Sequence, residues 1–538
     1  MSADNPIEVW KRKLIALQTA EATVSDPGMK FTLSQQIAEA QQKIAELSAA
    51  PAACVRKTPF QLPPAAARFF GRATVLKTLI ERLEGGLDTT VVGMAGMGKT
   101  ALAAEALAAV VGRNGEKLDQ SPFADGIVFL DLYTDHGQAD PIWNKLADIV
   151  GGDDFETDKV AATRATCACG GKRLLVILEG AEEADGLEGR PKLAEILKVL
   201  SPPSRHLVLT RVRGHTAPSE WVRLDEPLDD EEAGQLFDSL TTAITVAPED
   251  RTNLLELLQG HPLALNWAGN MLAQGLDHPS QLIKEWTEAD LPALNDSADS
   301  ERRTLRWLFE RSVRRLDLDT RRALAAAGVL ARTPFHRDAI SSALWQRGGK
   351  DASKQLRQLA VRGLIRPSPD SGYWEFSHAL SYGFARSILT PSGLIVTNLA
   401  KWLCQQLQTR LSQRDAAPSS EETQRLLEHA AAVLSMDRQH SRYWPLCDYL
   451  LFEACDRLDA LGRLSHFGLV LAAVQAWFKQ LPKPMADQPQ WPRELSVSFN
   501  RLGDLATAQG NLSEAQRLFR ESLRIGQLLA ASDPANAE

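Results

Sequence analysis

Apolar positions change rhythm several times along the chain, and each change marks a different kind of element. Over residues 5–48 the spacing is helical: Ile7, Trp10, Leu14 and Leu17 fall on one face. Asp26-Pro27-Gly28 breaks the run. Leu33, Ile37, Ala40, Ile44 and Leu47 then resume it with heptad-like spacing, behind a Thr32/Gln35 capping signal. This predicts a helical hairpin over 1–50, too short to bury much area without a partner. Residues 51–68, rich in Ala and Pro, read as a linker. From 69 to 225, short apolar runs at 89–92, 127–132, 174–178 and 207–209 alternate with longer helical stretches. Runs apolar on both faces, separated by helices, predict βαβ units and a buried parallel sheet.

Beyond 226 helical spacing dominates. It predicts a helical domain over 226–300, a winged-helix domain over 301–395 and further helices over 396–490. In the second of these, helical residues 353–362 precede a short hairpin around Tyr373–Phe376. The fold class is therefore multidomain: an α/β core followed by helical domains. In the tail, Phe499, Leu502, Gly503, Gly510, Ala515 and Phe519 sit at the spacing of a tetratricopeptide repeat, whose small residues let two helices close on each other. An ordinary helical hairpin over 491–538 is the plainer alternative. Because repeats do not stand singly, the expectation is a native chain that continues past Glu538.

Charge and composition narrow the function classes. The 538 residues carry 60 basic and 68 acidic side chains, a net charge of −8, which argues against a dominant nucleic-acid surface. Cys167 and Cys169 are close, but no second pair completes a metal-ligand pattern among the six cysteines. The start of the chain lacks a signal pattern, and no apolar run approaches membrane-spanning length, so the expectation is a reduced, cytoplasmic protein. Nor does any Ser-His-Asp, Cys-His or metal-binding set of credible spacing point to a metabolic enzyme.

One segment does carry chemistry. Gly93-Met94-Ala95-Gly96-Met97-Gly98-Lys99-Thr100 matches G-x-x-x-x-G-K-[ST] at every defined position. Glycines let backbone N–H groups turn inward around phosphates without Cβ clashes. The helix opening at Lys99 and running through Ala101 aims its positive end at them. Lys99 would neutralise the β/γ oxygens and the Thr100 hydroxyl would ligate Mg²⁺. An acidic residue at the end of a later strand should assist the metal. Leu174-Leu175-Val176-Ile177-Leu178-Glu179 fits, with Glu179 reaching Mg²⁺ through water.

With these residues in place, the chain resembles the NB-ARC branch of the STAND signalling ATPases over about 69–390. Phe70-Gly71-Arg72 resembles the entry motif, whose arginine lies near adenine. Thr210-Arg211 resembles the sensor arginine that reads the γ-phosphate, and residues 228–237 resemble the start of the first helical domain. Gly260-His261-Pro262-Leu263-Ala264 is similar to the segment whose proline packs on adenine, and Phe376-Ser377-His378 to the winged-helix histidine that contacts the ADP β-phosphate. The resemblance implies ATP/ADP and Mg²⁺ as cofactors, with Lys99, Glu179 and Arg211 as the catalytic set. It also implies an ATP-driven homo-oligomer that senses a trigger through C-terminal repeats and recruits an effector through N-terminal helices, in settings such as bacterial immunity or regulated cell death. The chain departs from the family at four places. Glu179 stands for the usual Asp, Gly180 follows where an acidic residue often helps activate water, the entry motif has Ala73 or Thr74 in place of its usual acid, and His378 lies in Ser-His-Ala. Glu182 or Glu183 is a candidate substitute for the missing acid, and slow hydrolysis is expected. Two rivals stay open: an ATP-dependent transcription regulator using the arginine-rich stretch 302–315, and a repeat scaffold with a structural nucleotide.

Overall fold

The computed structural model describes residues 58–133, 139–151, 161–184, 193–212, 216–291, 294, 297–345, 351–412, 420–435, 444–460, 473–474, 490–508 and 512–532. The N-terminal hairpin expected over 1–50 lies outside them, as does Gly510 of the tail motif.

The α/β region folds as the apolar runs predict. Its strands are β1 (Thr89–Val92), β2 (Gly126–Asp131), β3 (Leu174–Glu179), β4 (Arg205–Thr210) and β5 (Trp221–Arg223). They form one parallel sheet in the order β2-β3-β4-β1-β5. The sheet is covered on both faces, so β1 is buried throughout and β3 up to Glu179, instead of alternating. On one face α1 (Ala73–Glu84) and α2 (Lys99–Val111) bury Leu79, Leu83, Leu102 and Leu107. On the other, α3 (Ala139–Gly151), α4 (Ala161–Cys169) and α5 (Leu193–Leu197) bury Ile142, Leu146, Ala165 and Ile196. Residues 59–61, expected as linker, instead extend the sheet edge: Ile127 N donates to Pro59 O at 2.8 Å and Gln61 N to Ile127 O at 2.9 Å. An edge strand offers unpaired backbone groups, and this Pro-flanked segment satisfies some of them.

Strand order opens a crevice at one end of the sheet. β4 lies between β1 and β3, so the loop after β1 and the carboxylate ending β3 flank the C-terminal end of β4. Chain direction diverges there, since β1 leads to the far edge at β2 while β5 returns to its other side. Open α/β sheets bind ligands in the crevice at such a point.

After the sheet come α6 (Asp230–Leu240), α7 (Pro248–Leu258), α8 (Pro262–Ala273), α9 (Pro279–Glu288), α10 (Ala298–Arg314) and α11 (Leu318–Val329). The segment expected as a winged helix continues with β6 (Phe335–His336), α12 (Arg337–Leu344), α13 (Ser353–Val361), β7 (Ile365–Pro367) and β8 (Tyr373–Phe376). Its three strands pair antiparallel in the order β6-β8-β7, so the expected hairpin is joined by a third strand from upstream. Then follow α14 (Ala379–Ile388), α15 (Gly393–Ser412), α16 (Ser420–Ser435), α17 (Trp444–Tyr449) and α18 (Cys455–Ala460). One apolar core, with Trp267, Phe309 and Phe384 in mutual ring contact, runs through the helices from α6 to α18. The three regions 226–300, 301–395 and 396–490 therefore share a core instead of holding one each.

The tail is a helical hairpin of α19 (Gln490–Ala508) and α20 (Leu512–Ser532). A Cβ at Gly503 would lie 2.5 Å from the Phe519 ring, so the small residue sets the closeness of the two helices. Ser496 and Ser522 hydroxyls join across it at 2.8 Å.

Candidate functional site

The loop between β1 and α2 brings the glycine-rich motif to the C-terminal edge of the sheet. Gly96 and Gly98 have φ of 73° and 94°, conformations that side-chain-bearing residues rarely adopt. Gly96 also faces His261 so closely that an added Cβ would sit 2.6 Å from the imidazole. The Lys99 ammonium donates to the Gly93 and Met94 carbonyls at 2.7 Å each, holding the loop's own turn. At the head of α2, Thr100 Oγ1 donates to Glu179 Oε1 at 2.6 Å, which unites the two expected metal-binding groups. Gly93 supports this cradle from behind, its N–H donating to Thr210 O at 3.2 Å. This parallel α/β core with its glycine-rich loop and Lys-Thr helix start is consistent with a P-loop NTPase core.

The end of β4 supplies Arg211, held by a carboxylate hub. Glu182 accepts from Arg211 Nε at 3.0 Å and Arg211 N at 3.2 Å, and also takes the Tyr133 hydroxyl. The missing acid after Glu179 now has a physical reason. Gly180 sits at φ 78°, and a Cβ there would lie 2.6 Å from the Tyr133 ring, so no side chain fits. Glu182, the suggested substitute, is committed to Arg211 and Tyr133 and faces them from a short turn, Ala181–Ala184. Burial works against its ionisation, but Arg211 and the Tyr133 hydroxyl outweigh that and hold the carboxyl below its ordinary range.

The helical part closes over the loop. His261 caps α8: its Nδ1 accepts from Ala264 N at 3.3 Å, which assigns the proton to Nε2. Nε2 then donates to the Ala95 carbonyl at 3.1 Å and to Glu301 Oε1 at 3.2 Å, with both side chains fully buried. Pro262 follows at the first helical position. Arg72 heads α1 with its backbone N–H donating to Glu232 Oε1 at 2.9 Å, and Glu232 is itself part of the capping box that opens α6. His378 heads α14, its Nδ1 accepting from Leu380 N at 3.1 Å.

These groups meet around one cavity of about 620 Å³. Its walls include Arg72, the loop residues Ala95, Gly96, Met97, Gly98, Lys99, Thr100 and Ala101, the side chains of Glu179 and Arg211, and Pro262 and His378 from the helical part. Of the residues expected at the site, Gly93 alone is not on its wall. The volume is in the range that holds a drug-sized or nucleotide-sized ligand.

Burial sets the electrostatics. It pushes the Lys99 ammonium down to about 8, opposed by Glu182 and reinforced by Arg211. His378 is held well below its ordinary range by burial and by Arg211, Arg332 and Lys99, and so is neutral, with Nε2 as its proton-bearing nitrogen. Asp131, ending β2 beside Glu179, is pushed up to about 7 by burial and by Glu179, against the pull of Arg332. Among the described residues no cluster of three His, Cys, Asp or Glu side chains is arranged to hold a metal alone. The paired oxygens of Thr100 and Glu179, with Asp131 next to Glu179 at the end of β2, suit Mg²⁺, which takes one or two carboxylates and completes its shell with phosphate oxygens and water.

Sequence reasoning missed Tyr133, Asp131, His261, Glu301 and Arg332. Of these, Asp131, one residue before the end of the run at 127–132, carried a readable signal, an acid at a strand end.

No family model matches the chain, and no curated protein matches it. Solved structures do. The chain is similar to the Walker-type ATPase PABY2304 of Pyrococcus abyssi at 15% identity, over 61% of this chain and 98% of that one, with a TM-score of 0.31. It is also similar to the Aeropyrum pernix ORC1 protein, solved in complex with DNA, at 16% identity, over 60% and 93% of the two chains, with a TM-score of 0.31. Likenesses this loose carry no argument about this chain's activity. Among the described residues no helix is long and apolar enough to cross a membrane.

Proposed function

We propose that the chain is an ATP/ADP-controlled signal-transduction switch of the NB-ARC kind. The observation that carries this reading is the shared cavity: the phosphate loop faces Pro262 and His378, which belong to the helical part, so a bound nucleotide would touch both parts at once. A ligand held by two parts reports on whether they are together.

In the closed form the P-loop amides and Lys99 bind the diphosphate, Pro262 packs on the adenine, and neutral His378 donates from Nε2 to the β-phosphate. Thr100 and Glu179 would hold Mg²⁺, which would supply charge neutralisation at the phosphate oxygens. Arg211, aimed by Glu182, reads the third phosphate and favours the open form. Gly180 leaves the attacking water without a neighbouring base, so hydrolysis is slow and ATP persists as an on-signal. Open protomers assemble through this ATPase region and gather their N-terminal helices to engage an effector, while the C-terminal helices receive the trigger. Moving such a switch from 1:99 to 99:1 takes about 5.5 kcal/mol of differential binding, shared between nucleotide and trigger.

Light scattering on the full chain with ADP, and with a non-hydrolysable ATP analogue plus His378→Ala, tests the reading. The variant should assemble more readily than the parent. A variant that stays monomeric in every nucleotide state would count against the clamp.

A further inference from the structure

Residues 331–334, between α11 and β6, thread a largely buried arginine into the acidic end of the sheet. Arg332 Nη1 donates to Asp131 Oδ1 at 2.8 Å and lies 2.7 Å from Oδ2, while Nη2 lies 3.9 Å from Glu179 Oε2. The guanidinium stacks on Tyr133 with its centre 4.8 Å from the ring centroid. Glu179 thus stands between two partners, Thr100 on Oε1 and Arg332 facing Oε2.

The segment is fixed from behind by helices later in the chain. Ala331 N donates to His429 Nδ1 at 3.2 Å, so the proton is on Nε2, which donates to Pro334 O at 3.2 Å. The Tyr382 hydroxyl donates to Leu330 O at 3.0 Å. Next to His429 on α16, buried Glu428 pairs with Lys145 of α3 at 2.7 Å. One helix therefore holds both the nucleotide-binding core and the loop that carries Arg332.

We propose that Arg332 is a positioning residue that competes with Mg²⁺ for the Asp131–Glu179 pair, making metal binding and docking of segment 331–334 mutually opposed. This rests on the phosphate-site reading. The physical reason is charge. With both carboxylates ionised, they and one guanidinium sum to −1, whereas adding a divalent cation with the guanidinium still in place makes the cluster +1 in a largely buried site, where like charges repel strongly. Mg²⁺ entry therefore loosens Arg332, and the loosening passes through Ala331 and Pro334 to His429 and α16. In reverse, a trigger that moves α16 withdraws Arg332 and strengthens metal binding, since coupling between two sites is reciprocal.

The test uses the full chain, titrated with ADP in the presence of Mg²⁺ and again with the metal chelated, for the parent and Arg332→Ala. The Mg²⁺ advantage, the ratio of the two affinities, should rise by about tenfold in the variant, within the usual scale of site-to-site coupling. The ratio, and not the metal-free affinity, is the readout, because Arg332 itself lines the cavity. In the parent, hydrogen exchange at residues 331–333 should speed up on adding Mg²⁺ to the ADP complex. An unchanged ratio in a folded variant, with exchange at 331–333 indifferent to Mg²⁺, overturns the proposal while leaving the phosphate site intact. Should Arg332→Ala fail to fold, His429→Gln, which frees the segment without touching either carboxylate, must raise the same ratio or the proposal falls. If the parent binds no ADP under either condition, the phosphate-site reading itself fails.

Discussion

Gly180→Ala probes the site where the sequence departs from the family it resembles. Two costs arise there. A residue with Cβ at φ 78° gives up about 1–2 kcal/mol relative to glycine. The new Cβ would also meet Tyr133 Cε2, Cδ2 and Cζ at 2.6, 2.7 and 2.9 Å, and the ring cannot retreat freely. It donates to Glu182 and carries the guanidinium of Arg332 on its face. Disturbing a hydrogen bond to a charged group and a cation–π contact adds about 1–2 kcal/mol, for a total of about 2–4 kcal/mol. The assay is a double-mutant cycle with Tyr133→Ala, read as the free energy of opening β3 by native-state hydrogen exchange. Local opening is the proper readout because a chain of this size need not unfold in one step. In the Tyr133→Ala background the glycine substitution should cost only the backbone share, leaving an interaction energy of about 1–2 kcal/mol. An equal cost in both backgrounds would refute the steric explanation, and no cost in either would refute the backbone one as well.

Other outcomes arise from the same geometry. Acidification should destabilise the C-terminal helices through His429, whose pKa burial pushes down to about 4 from the usual 6.5. The native state keeps it neutral while the unfolded chain takes up a proton, so up to about 3 kcal/mol is lost as pH falls from 6.5 toward 4, a loss that His429→Gln should abolish in a pH series of melts. Because Lys99 is held near 8, it is cationic below that pH and neutral above it, so ADP affinity should fall about tenfold between pH 7 and pH 9; a flat profile would mean another group supplies the charge. Gly503→Leu should open the α19–α20 hairpin, since even a Cβ there lies 2.5 Å from the Phe519 ring, and faster hydrogen exchange confined to 490–532 is the expected readout.

Local chemistry was legible in the sequence where one segment contains the whole device. The phosphate loop is such a case: glycines that need positive φ and a lysine reaching back to its own loop lie within eight residues. The buried strands were legible too, because a sheet covered on both faces favours apolar runs. What stayed hidden depends on pairs far apart in the chain. Arg332 follows Glu179 by 153 positions and lies outside the arginine-rich stretch 302–315, and nothing local separates an arginine paired with two carboxylates from a solvated surface charge. His261 reads as a turn residue beside Pro262, and its bond to Ala95 exists only because α8 lands on the loop. Gly180 read as a lost acid, and only the position of the Tyr133 ring explains it. The apolar core that connects α6 to α18 stayed hidden as well, since helical periodicity shows which face is apolar but not which neighbour covers it.

The most direct measurement is to denature the purified full chain, identify any released nucleotide by chromatography, and do the same with Lys99→Ala. ADP in stoichiometric amount from the parent and none from the variant is the expected result, and it would make Lys99, Pro262 and His378 the walls of a working switch. ATP in its place would mean a bound nucleotide that the Gly180 site cannot hydrolyse. No nucleotide from either protein, together with no binding on titration, would contradict the claim that this cavity is a nucleotide site.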